Sequence, residues 1–260
     1  MSDVVKLFGI PVAKVTEPQA VERIVALARK GRSADSSRTA MVVTLNVDFV
    51  TNAVRGWPFG GNDELWGYLK EADLVTADGM PIVWLSRLKR NPLPARVTGA
   101  DLVPMICKRL AEENLSVYVL GGSGPALDAA FEKLRAQAPG LKVAGCDPAF
   151  VSLDGDSSEI VARINAARPA LLFVALGNPK QELWMGRNAA KLDVGAMIGI
   201  GGTFNFLAGR VKRAPKWMQK CGLEWVYRII QEPGRLWRRY AYGLVKFAWL
   251  SLRALMGGYR

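Results

Sequence analysis

The sequence predicts an α/β fold, in which a Rossmann-like, mainly parallel sheet carries helices on both faces and a basic helical appendage follows it. Short β-branched apolar runs alternate with longer stretches of helical period, which is typical of βαβ units. The chain has 260 residues, half of them hydrophobic, which is enough to bury a full core. Strand signals end near residue 207. We therefore expect an α/β domain over residues 1–207 and a helical appendage over residues 208–260.

The predicted elements follow in a regular order. Residues 1–18 predict a short hairpin or strand pair. The expected strands are Met41–Leu45, Leu74–Ala77, Val117–Leu120, Leu141–Ala144, Leu171–Leu176 and Val194–Ile200. The expected helices cover residues 19–30, 62–71, 80–88, 99–113, 125–137, 157–167 and 179–190. Because the strands read as continuous apolar runs, we expect helices to cover both faces of the sheet.

Positive charge is concentrated at the C-terminus. The whole chain has a net charge of +12; residues 208–260 contain 12 Lys or Arg against Glu224 and Glu232, so this segment carries +10 and the first 207 residues carry +2. Such a block indicates a polyanionic partner, either phospholipid headgroups or nucleic acid.

The last part of the appendage predicts a basic amphipathic helix. Four cations recur at spacings of 4, 7 and 7, so one helix would carry them in a line: Arg235, Arg239, Lys246 and Arg253. Together with the Trp and Tyr residues around them, they predict an interfacial membrane helix. The alternative is a helix whose apolar face packs on the body.

Composition also excludes several kinds of chemistry. There is no histidine, so acid–base catalysis is left to carboxylates. The three cysteines are far apart and in no CxxC spacing, so we expect neither a disulfide framework nor a structural zinc site. Neither a secretory signal nor a run of about 18 apolar residues occurs, and we expect the protein to stay inside the cell.

Three apolar strands lead directly from glycine into a helix, in residues 117–126, 173–182 and 197–206. The carboxyl ends of parallel strands meet at one edge of a sheet, where helix N-terminal amides attract phosphate. A nucleotide diphosphate is the ligand that this arrangement favours. None of the three segments matches GxGxxG or the P-loop pattern, which argues against NAD and ATP.

Asp78 is the best-placed candidate base, because it follows a predicted strand and precedes Gly79. The alternative is a turn residue or a helix N-cap. Thr44 and Asn46 end the first predicted strand of the sheet, where they would hydrogen-bond a sugar or cap the next helix.

Two further segments have structural explanations. Asn178, Pro179 and Gln181 fit a capping box, which leaves functional and structural interpretations of residues 178–182 equally favoured. The segment 98–101 also fits a capping box, and here the structural interpretation is favoured.

The pair Asp154 and Asp156 has the DxD spacing of a metal motif. Its surroundings predict a turn and an N-cap instead, so we expect no metal there.

Seven motifs spread over the chain resemble the WecG/TagA/CpsF family of bacterial glycosyltransferases. They are TLNVDFV (44–50), EADLVTADGMPIVW (71–84), RVTGADL (96–102), VLGGSG (119–124), ALGNPKQELW (175–184), IGIGGTFNFLAGRVKRAPKWMQ (198–219) and LEWVYRIIQEPGRLWRR (223–239). The resemblance implies metal-independent, inverting transfer of a sugar from a UDP-sugar to a saccharide on undecaprenyl diphosphate. It implies no cofactor, and it implies a peripheral enzyme on the cytoplasmic face of the inner membrane.

The resemblance also implies residue roles. Asp78 matches the family's catalytic base, with Thr44, Asn46 and Gln181 lining its pocket. The residues that match the family's acceptor-diphosphate ligands are Arg228, Arg235 and Arg238. Guanidinium groups suit this role because they offer paired donors to phosphate.

From the strand ends we expect the donor diphosphate to lie across a set of five glycines, one lysine and one glutamine. The set is Gly121, Gly122, Gly177, Lys180, Gln181, Gly201 and Gly202.

Two departures from the family pattern leave the sugars open. Asn205 stands where the family commonly has Asp, and residues 146–155 lack features that are frequent in relatives. N-acetylmannosamine and glucose are both candidates for the donor sugar.

The expected partners are therefore a UDP-sugar, a polyprenyl-diphosphate-linked sugar and an anionic membrane surface, with oligomerisation left open. The rival functions are a basic nucleic-acid-binding protein, suggested by the C-terminal charge, and an NAD-dependent α/β enzyme, since fold alone does not fix chemistry.

Overall fold

The computed structural model of the chain describes residues 3–31, 37–122, 124–148 and 151–259, apart from the side chains of Lys220 and Arg235. The strands are β1 (Val4–Leu7), β2 (Ile10–Ala13), β3 (Ala40–Leu45), β4 (Leu74–Ala77), β5 (Ser116–Gly121), β6 (Lys142–Asp147), β7 (Leu171–Ala175) and β8 (Ala196–Gly199). The body helices are α1 (Glu17–Lys30), α2 (Val47–Ala53), α3 (Asp63–Glu71), α4 (Met80–Leu88), α5 (Gly99–Glu112), α6 (Gly124–Gln137), α7 (Ser158–Ala167), α8 (Lys180–Asn188) and α9 (Thr203–Leu207). The last helices are α10 (Lys216–Lys220), α11 (Glu224–Gln231) and α12 (Pro233–Leu255).

The main sheet has six strands in the order β4-β3-β8-β7-β5-β6, and all its neighbouring pairs are parallel. The α/β prediction is therefore confirmed. The predicted N-terminal strand pair is also present, as an antiparallel hairpin of β1 and β2. Because all six strands run the same way, their carboxyl ends share one edge, and this edge carries the cavity described below.

The sheet is buried on both faces except at its edge strand β6, whose residues are mostly exposed or half-buried. Along β3, Met41 and Val43 belong to one buried cluster and Val42 to another. Along β5, Leu120 belongs to the first cluster and Val119 to the second. This alternation places one hydrophobic core on each side of the sheet, since successive side chains of a strand point to opposite faces.

Two short helices lie outside the predicted helix ranges, although residues 197–206 predicted a helix directly after the last strand. Helix α2 begins directly after β3, and the side chain of Asn46 caps it by accepting from the amides of Asp48 and Phe49. Helix α9 begins after β8 and has five residues. Both follow a strand without the long apolar periodicity that identifies a helix in sequence.

The long C-terminal helix packs on the body through one face. Phe247, Leu250 and Ala254 of α12 are buried in the same cluster as residues of β3 and α2. Its other faces expose large apolar side chains: Trp237, Tyr242, Leu244, Val245, Trp249, Leu252 and Leu255. None of the helices in the described ranges is both long and apolar enough to cross a membrane.

Candidate active site

A cavity of about 480 Å³ opens at the carboxyl edge of the sheet, over the ends of β4, β3, β8 and β7. Each of these strands contributes residues to its lining: Thr44 and Asn46, Asp78, Gly177, Ile200 and Gly201. The C-terminal helices form the opposite wall, with Trp225, Arg228, Arg239, Tyr240 and Leu244. The cavity is therefore shared between the α/β body and the segment that follows residue 207.

Asp78 lies in this cavity at the end of β4. Its amide donates to the carbonyl oxygen of Leu45 at 2.8 Å, which continues the pairing with β3. The chain then turns at Gly79, whose φ of 124° is unfavourable for other residues. Gly79, not Asp78, is the N-cap of α4, so the Asp78 side chain is not used as a cap.

Burial raises the pKa of Asp78 from 3.8 to about 7. Arg96 and Arg213 oppose this increase, whereas the charges of Glu224 and Asp101 add to it. None of the described residues donates a hydrogen bond to the carboxylate of Asp78. A carboxyl group with this pKa is suited to take up a proton near neutral pH.

The four charged neighbours of Asp78 form an ion-pair cluster that joins the body to the C-terminal segment. Arg96 of the body donates to Glu224 at 2.7 Å. Arg213 of the C-terminal segment forms an ion pair with Asp101, which lies in the first turn of α5. Gln219 accepts from both arginines at 3.0 Å. The cluster therefore holds the start of the C-terminal segment beside Asp78.

Thr98 and Asp101 have a second role in this cluster. Thr98 is the N-cap of α5 and accepts from the amide of Asp101, as the capping pattern predicts. Its hydroxyl also donates to the Asp101 carboxylate at 2.6 Å. Hydrogen bonds and the arginine charge lower the pKa of Asp101, although burial opposes them. Asp101 therefore stays charged and orients Arg213.

Thr44 and Asn46 both line the cavity, but their side chains already have local partners. The hydroxyl of Thr44 donates to the carbonyl of Gly199 at 3.4 Å. Asn46 caps α2 through its side-chain oxygen. The amide NH₂ of Asn46 is not used by the cap, so it is the group of this residue that a ligand would meet.

The capping box predicted for Asn178 and Gln181 is wrong. Helix α8 begins at Lys180 with Pro179 as N-cap, and no side chain caps it. The Asn178 side chain instead donates to Glu182 at 2.9 Å and accepts from Asn52 at 2.6 Å. Because the Asn178 side chain is held by these two contacts, it does not cap the helix.

Gln181 is buried and lines the floor of the cavity. Its side-chain oxygen accepts from the amides of Gly177 at 3.2 Å and Gly201 at 3.0 Å. These two amides therefore already donate hydrogen bonds within the protein, and they are not available to a bound diphosphate.

Only some of the residues expected to bind the donor diphosphate lie together at the cavity. Gly177, Gln181, Gly201 and Gly202 line the cavity. Gly121, Gly122 and Lys180 do not line it. The two glycines are outside it because β5 lies beyond β7 from the cavity. The glycine at 121 has a packing reason, since a Cβ there would lie 2.8 Å from the carbonyl oxygen of Ala175.

The three expected acceptor arginines are not equally placed. Arg228 lines the cavity, and its Nε is buried without a hydrogen-bond partner among the described residues. Its guanidinium lies 5.4 Å from the ring centroid of Phe206. Arg238 is exposed and lies 5.6 Å from the ring of Trp237, outside the cavity lining. The side chain of Arg235 lies outside the described residues.

Two of the four cations predicted to lie in a line along the last helix contact the body. Arg239 forms an ion pair with Asp48 of α2. Lys246 is buried and donates to the carbonyl oxygens of Thr51 and Gly60, and burial lowers its pKa. These side chains attach α12 to the body, so less of the C-terminal charge faces solvent than the sequence count suggests.

The segment with the DxD spacing forms a turn before α7. Asp156 accepts from the amide of Ser158 at 2.9 Å and from its hydroxyl at 2.6 Å. Ser157 is the N-cap of α7. In the described part of the chain, no group of three or more acidic or cysteine side chains is arranged to hold a metal ion.

The site contains residues to which the sequence assigned no place in a site, namely Asp48, Arg96, Arg213, Gln219 and Glu224. All are charged or polar residues whose partners are distant in the chain. Arg96 and Asp101 begin and nearly end the motif RVTGADL, so charged positions inside the resembling motifs were the signal that could have found them.

Comparison with known proteins shows the family of the chain. The sequence profile of the glycosyl transferase WecG/TagA/CpsF family matches residues 5–260. The chain is 30% identical to the N-acetylglucosaminyldiphosphoundecaprenol N-acetyl-beta-D-mannosaminyltransferase of Bacillus spizizenii (strain ATCC 23059 / NRRL B-14472 / W23), over 79% of this chain and 76% of the relative. It is 29% identical to the enzyme of the same name from Bacillus subtilis (strain 168), with the same coverage. The chain therefore belongs to the WecG/TagA/CpsF family and is a glycosyltransferase.

Proposed function

We propose that this enzyme transfers a sugar from a UDP-sugar to a saccharide carried on a polyprenyl diphosphate, with inversion at the anomeric carbon and without a metal ion. The observation that carries the proposal is a half-buried carboxyl group, Asp78, whose pKa is raised to about 7 in a cavity walled by arginines. The names of the two Bacillus relatives specify an undecaprenyl diphosphate acceptor.

In the proposed reaction Asp78 is the general base. It accepts the proton of the acceptor hydroxyl while that oxygen attacks the anomeric carbon. The bond between this carbon and the β-phosphate oxygen breaks, and UDP leaves from the opposite face. Because attack and departure occur on opposite faces, the configuration inverts.

The charge of the leaving diphosphate is offset by arginines rather than by a metal ion. Arg96 and Arg213 lie at the cavity with Asp78, and their pairing with Asp101 and Glu224 holds them in place. Cations fixed in advance stabilise developing negative charge more than flexible ones do, since they need no reorganisation. Gly202, at the start of α9, borders the same region.

The acceptor diphosphate is assigned to the side of the cavity formed by α11 and α12. The buried Nε of Arg228 has no described partner, and an unsatisfied buried donor is costly unless a ligand completes it. A guanidinium matches the paired oxygens of phosphate. Arg235 and Arg238 are kept as secondary ligands of the same diphosphate, on the strength of the family resemblance.

The enzyme is proposed to act as a peripheral protein at the cytoplasmic face of the inner membrane, where a polyprenyl-diphosphate acceptor would be anchored. The exposed aromatic and aliphatic side chains of α12 support this, because Trp and Tyr favour the membrane interface. Oligomerisation is left open.

The test is a panel of UDP-sugars incubated with a synthetic polyprenyl-diphosphate N-acetylglucosamine. The names of the relatives favour N-acetylmannosamine as the donor sugar, and glucose is the second candidate. Transfer from one of these donors supports the proposal. Absence of transfer from every UDP-sugar, with the acceptor intact, would reject it.

A further inference from the structure

A buried carboxyl group, Glu182, lies directly behind Gln181 in the first turn of α8. Glu182 is fully buried, and both of its oxygens accept hydrogen bonds. Oε1 accepts from Nε2 of Gln181 at 2.5 Å, and Oε2 accepts from Nδ2 of Asn178 at 2.9 Å. The reaction proposed above gives this residue no role.

The contact with Glu182 decides which way the Gln181 amide faces. An amide group has an acceptor oxygen on one side and an NH₂ donor on the other. The oxygen of Gln181 accepts from the amides of Gly177 and Gly201. A reversed Gln181 would press its NH₂ group against these two donors and its oxygen against the Glu182 carboxylate. Glu182 therefore favours a single orientation.

In that orientation Gln181 joins two strand ends. Gly177 follows β7 and Gly201 follows β8, and both residues line the cavity. The backbone amide of Gln181 also donates to the carbonyl of Gly177 at 2.9 Å. The two turns that border the cavity floor are thus held together by one side chain.

Close packing leaves this arrangement little freedom. A Cβ added to Gly199 of β8 would lie 2.5 Å from Nε2 of Gln181 and 2.7 Å from Oε1 of Glu182. Only glycine at this position allows the two side chains to approach the strand. On its other side the network ends at Asn52, which is exposed and donates to Asn178.

We propose that Glu182 is a positioning residue for sugar transfer: it fixes the amide of Gln181, which in turn fixes the turns at Gly177 and Gly201 beside the donor. The inference rests on the proposed function, in that the donor is expected at these turns. Glu182 acts through Gln181 and touches no reacting atom.

The test compares Glu182→Leu with Glu182→Gln. Leucine cannot accept from Gln181, so we expect the Gly177 and Gly201 amides to exchange faster with deuterium and the kcat/KM for the donor to fall about 10²-fold, as displaced positioning groups cause. Glutamine can still accept from Gln181, because the amides of Asn178 and of exposed Asn52 can reverse. Amide protection and kcat/KM should therefore stay close to wild type.

A second pair of variants covers the case in which Glu182→Leu does not fold. Gln181→Glu sets two carboxylates against each other, and the double variant Gln181→Glu with Glu182→Gln restores an acceptor and a donor at every contact. We expect protection at Gly177 and Gly201 to be lost in the single variant and recovered in the double one. Glu132→Gln and Glu132→Leu, on the exposed face of α6, are the matched controls.

The proposal is overturned if Glu182→Leu keeps wild-type amide protection and donor kcat/KM, or if the double variant recovers neither. It is equally overturned if Glu182→Gln loses activity while both glycine amides stay protected. If the wild-type enzyme transfers sugar from no UDP-sugar, the proposed function fails instead, and the exchange of the two amides still decides whether Glu182 holds Gln181.

Discussion

Replacing Asp78 by asparagine removes the proposed base while keeping the size of the side chain. A general base contributes roughly 10²- to 10⁴-fold to a rate, so we expect kcat to fall by about that factor. The affinity for UDP should change little, because the ion-pair cluster of Arg96, Asp101, Arg213 and Glu224 is retained. Calorimetry with UDP measures the affinity, and a coupled assay of UDP release measures kcat.

The same substitution should stabilise the folded protein at neutral and higher pH. Burial raises the pKa of Asp78 from 3.8 to about 7, so the folded state binds a proton more tightly than the unfolded state does. The charged form therefore lowers stability above pH 7. The pKa difference sets an upper limit of ~4 kcal/mol, and partial exposure of the residue reduces our expected gain for Asp78→Asn to about 2 kcal/mol.

The pH dependence distinguishes this explanation from a packing effect. The gain in unfolding free energy should be complete above pH 7, decrease as the pH falls, and vanish only well below pH 3.8, where wild-type Asp78 is protonated in both states. The kcat of the wild-type enzyme should rise with pH through a midpoint near 7. Urea unfolding and kcat measured across this pH range test both. An Asp78→Asn enzyme with undiminished kcat, or a stability difference independent of pH, would refute the reasoning.

Three further changes test neighbouring parts of the site. In Arg96→Gln the pKa of Asp78 should rise, because Arg96 lowers it, so the midpoint of the kcat profile should move above that of wild type; a midpoint that stays unchanged would contradict this. Arg228→Gln removes hydrogen bonds to a charged group worth roughly 1.5–3 kcal/mol, and the KM for the polyprenyl-diphosphate acceptor should increase about 10- to 100-fold while UDP affinity is unchanged. Lys246→Met leaves the carbonyls of Thr51 and Gly60 without their donor and should lower the unfolding free energy by ~1–3 kcal/mol in urea, whereas exposed Arg238→Gln should not.

The parts of the site that could be predicted from sequence depend on local patterns. Asn46, Asp78 and Gly201 each follow a strand that its apolar run identifies, and the ends of parallel strands meet at one edge. That rule was sufficient to predict, without knowledge of the strand order, that these residues lie at one cavity. It was not sufficient for Gly121 and Gly122, because the order places β5 outside β7, away from the cavity.

The remaining features depend on contacts between distant residues. Lys246 was predicted in a line of cations on an interfacial membrane helix, but it is buried against carbonyl oxygens almost two hundred positions earlier in the chain. Asn178 matched a capping pattern, but Asn52 and Glu182 hold its side chain. Helical spacing shows which residues share a face, but it does not show which face the body covers.

The most direct test of the central claim is the product of the wild-type enzyme with a UDP-sugar and a polyprenyl-diphosphate N-acetylglucosamine, examined by proton NMR at the new anomeric centre. We expect transfer with inverted configuration, and at least about 10²-fold less product from the Asp78→Asn enzyme over the same time. Retention of configuration, or equal product from both enzymes, would contradict it.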